Sequence, residues 1–327
     1  MGIKGLLPFL RKSFPQVIKP VSTGDLADRR IWIDVHGPLM RFAYACPYKS
    51  AFIVRRFLAF VEELRASRAH PILVFDSGNP KKLKMQTLLA RDLQLKQRRR
   101  SCWRDYWDLK ALLLQLEEAG ARVPEEEHDR RRNAFKTAEH YARKTLRISE
   151  SLLRELQLEA QNAGYEVYVA SGGDAEEEAA KRSGGGDLVS SDDLDALIFG
   201  AHRMVGFLDR LRKDTDARRP FCIELSELQA ALGFASHRQL VEFAILCGCD
   251  YTGRLPGVGP HKAHRIISEY KSIGRFRICK EGRAISKEAW ANFKYKETRT
   301  LFEKKLVAAL KPADRLKRRL VTGSPET

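Results

Sequence analysis

Short apolar, β-branched runs recur along the chain with helical patterns between them, and this alternation constrains the fold more than any other feature. "RRIWIDV" (29–35), "PILVFD" (71–76), "YEVYVA" (165–170) and "DLVSS" (187–191) read as buried strands, with "FGAHRMVGFL" (199–208) as a candidate further one. Between the first two, "SAFIVRRFLAFVEELRA" (50–66) carries apolar residues at helical spacing. Strand and helix taking turns in this way predict an α/β fold, a parallel twisted sheet with helices on both faces. The 327 residues suffice for one large domain or two smaller ones. No apolar run approaches the roughly 18 residues of a membrane span, and "MGIKGL" lacks both a secretory signal and the Ser or Thr that myristoylation wants at position 6.

Two segments interrupt the alternation. From about Leu83 to Gln161 the pattern is helical and very basic, with an exposed break expected at "ARVPEEEHD" (121–129). From about Glu224 to Leu310 it is mostly helical again, and the tail "RLKRRLVTGSPET" reads as loosely ordered. The chain has 59 Lys and Arg against 42 Asp and Glu, a net charge of +17. Such a balance suggests a polyanion, nucleic acid before an anionic membrane surface, with plain solubility as the bland alternative. Six scattered cysteines form no zinc-type spacing and read as reduced thiols of an intracellular protein.

The acids, by contrast, are concentrated. Asp34 closes the first strand and Asp76 the second; "SGGDAEEEAA" places Asp174 and Glu176 after the third, and "SDDLD" places Asp192, Asp193 and Asp195 after the fourth. In open parallel sheets ligands bind beyond the C-terminal ends of the strands, so these carboxylates reach one edge. Any single Asp there can be an ordinary helix cap. The set exceeds what capping needs and reads as a metal site. Oxygen ligands without His or Cys favour Mg²⁺ or Mn²⁺. Paired ions inside a basic chain point to metal-dependent phosphodiester cleavage. In "CGCDYTGRLPGVGPHKA", Asp250 is followed by Gly257-Val258-Gly259, which is either a plain turn or a helix–turn–helix offering bare N–H groups to a phosphate; Lys262 and Arg265 favour the latter. His261 and His264 lack further ligands nearby.

Together "MGIKGL", "WID", "PILVFD", "DAE", "SDDLDALIFG" and "LCGCDYTGRLPGVGPHKA" resemble, in order, the XPG-like structure-specific 5′ nucleases, flap endonucleases above all. The resemblance implies a PIN-like nuclease fold in which residues 1–95 and 161–310 form the nuclease regions. It makes 96–160 a helical arch or cap, about 240–270 an H3TH DNA-binding segment, and 311–327 a flexible tail. It implies two Mg²⁺ ions, replaceable by Mn²⁺, on Asp34, Asp76, Asp174, Glu176, Asp193, Asp195 and Asp250, with Asp192 left out. Lys84 and Arg91, seven residues apart, match the basic pair that steers the scissile phosphate. Gly2, Gly257, Gly259, Lys262 and Arg265 would contact DNA, with K⁺ at the H3TH segment. Arg130, Arg131 and Arg143 of the cap would track phosphates, and Trp103, Tyr106 and Trp107 either stack on bases or pack the cap helices. The implied activity is cleavage of DNA at 5′ flaps or ss/ds junctions in replication and repair, by a monomer, with RNA-containing strands also open. A 5′→3′ exonuclease and a catalytically inactive nucleic-acid-binding scaffold are the competing readings. The place of action is intracellular, the nucleus or a viral replication site. Asp174 stands where the family more often has Glu, Met40 where flap nucleases have an aromatic residue, and the tail lacks the clamp-binding motif, so a sliding-clamp partner is not expected.

Overall fold

The computed structural model describes residues 2–45, 50–78, 82–118, 123–144, 148–211 and 219–309. Among them, seven strands make one sheet in the order β1-β7-β6-β5-β2-β3-β4. These are β1 (Lys19–Pro20), β2 (Arg30–Asp34), β3 (His70–Phe75), β4 (Glu166–Val169), β5 (Leu188–Ser190), β6 (Arg203–Gly206) and β7 (Phe221–Glu224). The pairs β2–β3, β3–β4, β2–β5 and β5–β6 are parallel. β7 and β1 extend that body antiparallel, so the sheet is mixed where a parallel one is expected. Pro20 is tolerated because β1 is an edge strand, where a missing N–H breaks no inner ladder. The 199–208 run narrows to β6, since Gly200 turns the chain with φ +98 before the strand starts.

Side chains alternate across the sheet and so divide two cores. Ile31 and Ile33 of β2, with Leu73 and Phe75 of β3, face α2 (His36–Ala45), α3 (Ser50–Ala66) and α6 (Glu150–Asn162). Trp32, Ile72 and Val74 face the other way, onto α1 (Leu6–Ser13), α7 (Ala175–Arg182), α8 (Asp195–Ile198) and the C-terminal helices. Those are α9 (Leu225–Ala231), α10 (His237–Cys247), α11 (Pro260–Tyr270), α12 (Ile273–Ile278), α13 (Lys280–Arg283), α14 (Lys287–Asn292) and α15 (Tyr295–Ala309). By the same alternation Asp34 and Asp76 continue the rows of Trp32 and Val74, toward α7.

The basic helical segment divides: α4 (Lys82–Glu118) and α5 (Glu125–Lys144) pack on each other as a pair, while α6 packs on the sheet. At 1.5 Å per residue α4 is about 55 Å long. The expected break at 121–129 ends early, because Glu125, Glu126 and Glu127 open α5, where acids favour the helix dipole. Trp103 and Tyr106 of α4 pack on Phe135 of α5, with ring centroids 6.1 and 5.3 Å apart. Trp107 stays half exposed, with the Lys110 ammonium 4.8 Å from its ring. α5 meets the sheet body where the Tyr44 hydroxyl lies 2.9 Å from His140 Nδ1.

Candidate active site

β3 and β4 follow β2 on one side of the sheet, whereas β5 and β6 lie on the other. The strand order therefore reverses between β2 and β5, and a crevice opens at their C-terminal ends. A cavity of about 490 Å³ occupies it, lined by Asp34, Asp76, Asp174, Glu176, Asp193, Asp250 and Lys84, with Met40 on the wall. Asp195 adjoins them, and Asp193 and Asp250 are the charges that act on it most strongly. The seven expected acids thus meet in one place, delivered by the ends of β2 and β3, the starts of α7 and α8, and the turn after α10. Among the described residues no three His, Cys, Asp or Glu side chains close around one point; the donors line walls instead. The side chain of Arg91 lies outside the described residues.

Capping accounts for only part of this set: Asp34 Oδ1 accepts the N–H of His36, the first residue of α2, at 3.0 Å. Asp174 holds the N-cap position of α7 but makes no capping bond with its side chain. Asp76 Oδ1 accepts a hydrogen bond from the Ala175 N–H at 2.8 Å instead. Burial, then the charge of Asp76, pushes Asp34 up to about 7. Burial, then Asp193 and Asp250, pushes Asp195 up to about 8. Glu176 is raised well above the carboxylate range by burial and by Asp34 and Asp193. Burial alone would lower the Lys84 ammonium, yet Asp174, Glu176 and Asp76 outweigh it and raise its pKa. Asp195 Oδ1 is buried without a hydrogen-bond partner. An oxygen-only set, short of positive charge and with a bare buried oxygen, fits a hard divalent cation.

Several neighbours carry no sequence signal. Ser191 Oγ lies 3.4 Å from both Asp34 Oδ2 and Glu176 Oε1, and accepts from the Asp193 N–H at 3.1 Å. His36 Nδ1 is 4.0 Å from Asp76 Oδ2. The buried Tyr251 phenol donates to Asp174. Arg41 pairs with Asp192, and its Nε donates to Asp209 at 2.8 Å, so Asp192 is drawn toward Arg41. Their partners lie far away in the chain, so only the folded protein shows them.

Gly2 has φ +54, and a Cβ there would stand 2.8 Å from Asp195 Oδ1. Gly257 turns the chain with φ +67, and Gly259 caps α11 with Pro260 in its first turn. Lys262 and Arg265 both reach Glu281, at 3.0 and 2.8 Å. Arg130, Arg131 and Arg143 lie on α5; Arg130 pairs with Glu127, and Arg143 with Glu139. His264 bonds the Leu232 carbonyl and, like His261, packs on Phe9, which explains both histidines without a metal.

Residues 1–99 match the family model of the XPG N-terminal domain, and residues 166–250 that of the XPG I-region, together more than half of the chain. The chain is 27% identical over 291 residues to Flap endonuclease 1 of Theileria parva, covering 84% of this chain and 52% of that protein. With Flap endonuclease 1 of Leishmania infantum it shares 28% over 325 residues, 93% of this chain and 73% of that one. With Exonuclease 1 of Arabidopsis thaliana it shares 28% over 284 residues, 84% and 34%. It thus spans about half of the first relative and about a third of the last. The catalytic core of Rad2 in complex with DNA substrate superposes with a TM-score of 0.58 at 18% identity, over 98% of this chain and 84% of that one. Flap endonuclease-1 from Methanococcus jannaschii does so with 0.54 at 21%, over 87% and 81%. At such identities these two show the fold. Asp34 and Asp76 fall in the first matched region and Asp174 to Asp250 in the second, with about half of α4 and all of α5 between them; the chain belongs to the XPG-like 5′ nuclease family.

Proposed function

We propose that the chain is a structure-specific 5′ nuclease that hydrolyses DNA phosphodiester bonds at 5′ flaps or ss/ds junctions. The observation that carries this reading is the convergence of seven acids and Lys84 on one crevice of a basic protein. Asp34, Asp76, Glu176, Asp193, Asp195 and Asp250 would hold two Mg²⁺ ions, with Mn²⁺ able to replace them. Such ions, when bound, activate water and stabilise charge on the attacking and leaving oxygens. The chain's own part is to fix their carboxylates and to present a protonated Lys84 where charge develops on the scissile phosphate. Arg91, two helical turns further along α4, would supply a second cation. The Gly257–Pro260 turn and the first turn of α11 offer N–H groups to a duplex phosphate, with Lys262 and Arg265 beside them. Arg130, Arg131, Arg143 and the exposed Trp107 suit a single strand along the cap.

Its setting would be DNA replication and repair, acting as a monomer inside the cell. Among the described residues no helix is long and apolar enough to cross a membrane. A flap substrate labelled at its 5′ end tests the reading. One junction-proximal product with Mg²⁺ is expected, and a ladder from the 5′ end would mark a 5′→3′ exonuclease. RNA-containing flaps in the same assay report the sugar tolerance. Asp193→Ala should abolish cleavage and leave junction binding largely intact. Wild-type protein that binds junctions but cuts nothing with Mg²⁺ or Mn²⁺ would make it an inactive scaffold.

A further inference from the structure

Resting on the nuclease reading of the same cavity, we propose that Asp174 is not one of the cation holders but a positioning residue that fixes the Lys84 ammonium, with Tyr251 as its second support. Asp174 Oδ1 is 2.6 Å from Lys84 Nζ, and Oδ2 accepts the hydroxyl hydrogen of Tyr251. Both oxygens are therefore committed, one of them to the cavity's own cation. The contrast with Asp34 and Asp76 decides the point. The hydrogen bonds they accept come from neutral groups: the His36 N–H and the Ser191 hydroxyl on Asp34, the Ala175 N–H on Asp76. A carboxylate oxygen that accepts one such bond keeps a lone pair for an ion. An oxygen that bears an ammonium would set a divalent cation against a like charge at close range.

The sequence difference points the same way. Asp174 is one methylene shorter than the Glu the family resemblance leads one to expect, which draws its carboxylate back toward the start of α7. There Tyr251 meets it. Tyr251 is buried and braced from behind: its carbonyl accepts from Thr298 Oγ1 of α15 at 3.3 Å, and its ring stands edge-on to Phe302 at 5.5 Å. Lys84 Nζ also lies 5.9 Å from the centre of that ring. Asp174 thus ties the root of the cap helix to the C-terminal helical layer and sets the ammonium in the cavity wall.

The test removes the pair together, so that the local charge is unchanged. Mn²⁺ binding to the full chain without DNA is measured by calorimetry for wild type, K84M/D174N, Y251F and D193N. The double variant and Y251F should bind Mn²⁺ within about threefold of wild type, while D193N loses at least about tenfold. In single-turnover cleavage Y251F should lose about tenfold, and adding Y251F to K84M should cost almost nothing more. Mn²⁺ binding by K84M/D174N as weak as by D193N would make Asp174 a ligand and overturn the assignment. So would a Y251F loss that multiplies fully onto K84M. Y251F keeps the ring and its packing, so it carries the test if a substitution at Asp174 unfolds the chain. Wild-type protein that bound no Mn²⁺ would fail at the nuclease reading, one step before this one.

Discussion

Gly2→Ala should damage catalysis more than stability, and the structure says by how much. The added Cβ would lie 2.8 Å from Asp195 Oδ1 and 3.0 Å from Asp193 Cβ and Cγ, on a backbone with φ +54. An L-residue in that conformation costs about 1–2 kcal/mol, and overpacking adds about 1–3 kcal/mol. The segment cannot simply swing away. Lys4 N–H is bonded to the Gly248 carbonyl at 2.9 Å, and Ile3 and Leu6 are buried. The acids must give instead, and a shift of about 1 Å at a catalytic group lowers a rate by roughly 10²-fold. Thermal melting and single-turnover cleavage of a flap substrate read the two effects separately. Gly164→Ala is the control, since Gly164 has φ +78 but nothing within 4 Å of its Cβ position. It should lose about 1–2 kcal/mol and keep its rate. A Gly2→Ala protein that cleaves within twofold of wild type would refute the placement of Gly2 against the acids.

Three further outcomes follow from the same geometry. Asp34, at about 7, and Asp195, at about 8, hold protons more tightly folded than unfolded, where carboxyls titrate near 4. Their stabilisation is complete at low pH and is lost as pH rises through about 7 to 8, so in EDTA the melting temperature should fall between pH 5.5 and 8.5. Mg²⁺ should restore it at the upper end, and a melting temperature that climbs with pH would contradict the burial of these acids. Glu242→Ala removes a buried carboxylate that accepts the Ile273 N–H at 2.6 Å and pairs with Arg299 at 2.7 Å. It should cost about 3–5 kcal/mol in denaturant unfolding, and a loss below about 1 kcal/mol would dismiss that junction. Lys262→Met and Arg265→Met should each reduce the salt slope of duplex binding by about 1. Glu281→Gln, which releases Lys262 and leaves Arg265 with only Glu269 at 3.3 Å, should tighten binding about two- to fivefold, and unchanged slopes would move the duplex elsewhere.

What could be read in the sequence is what local pattern controls. The helix expected at 50–66 is α3, and the strand runs at 29–35 and 71–76 are β2 and β3 to within a residue at each end. Each carries its own periodicity, and the acids that close the two strands could be placed at the edge before any contact was known. β1 and β7 could not, because two- and four-residue strands at an antiparallel margin show no run to detect. Tyr251 is a further case. It stands 77 residues from Asp174, just past the end of an apolar run, and its hydroxyl acquires meaning only when α7 and the turn after α10 come together. Ser191 and Arg41 were hidden for the same reason. The departure at Asp174 was visible as a shorter acid, but what the shortening does depends on Lys84 and Tyr251.

The position of Lys84 on its helix has a mechanical result. The lysine is the third residue of α4, so it sits close to the fulcrum of a rod about 55 Å long. A tilt of about 10° at the base would sweep the far tip through about 10 Å and shift the Lys84 backbone by under about 1 Å. Any rigid tilt of α4 would therefore move its far end about ten times as far as the backbone that carries the ammonium.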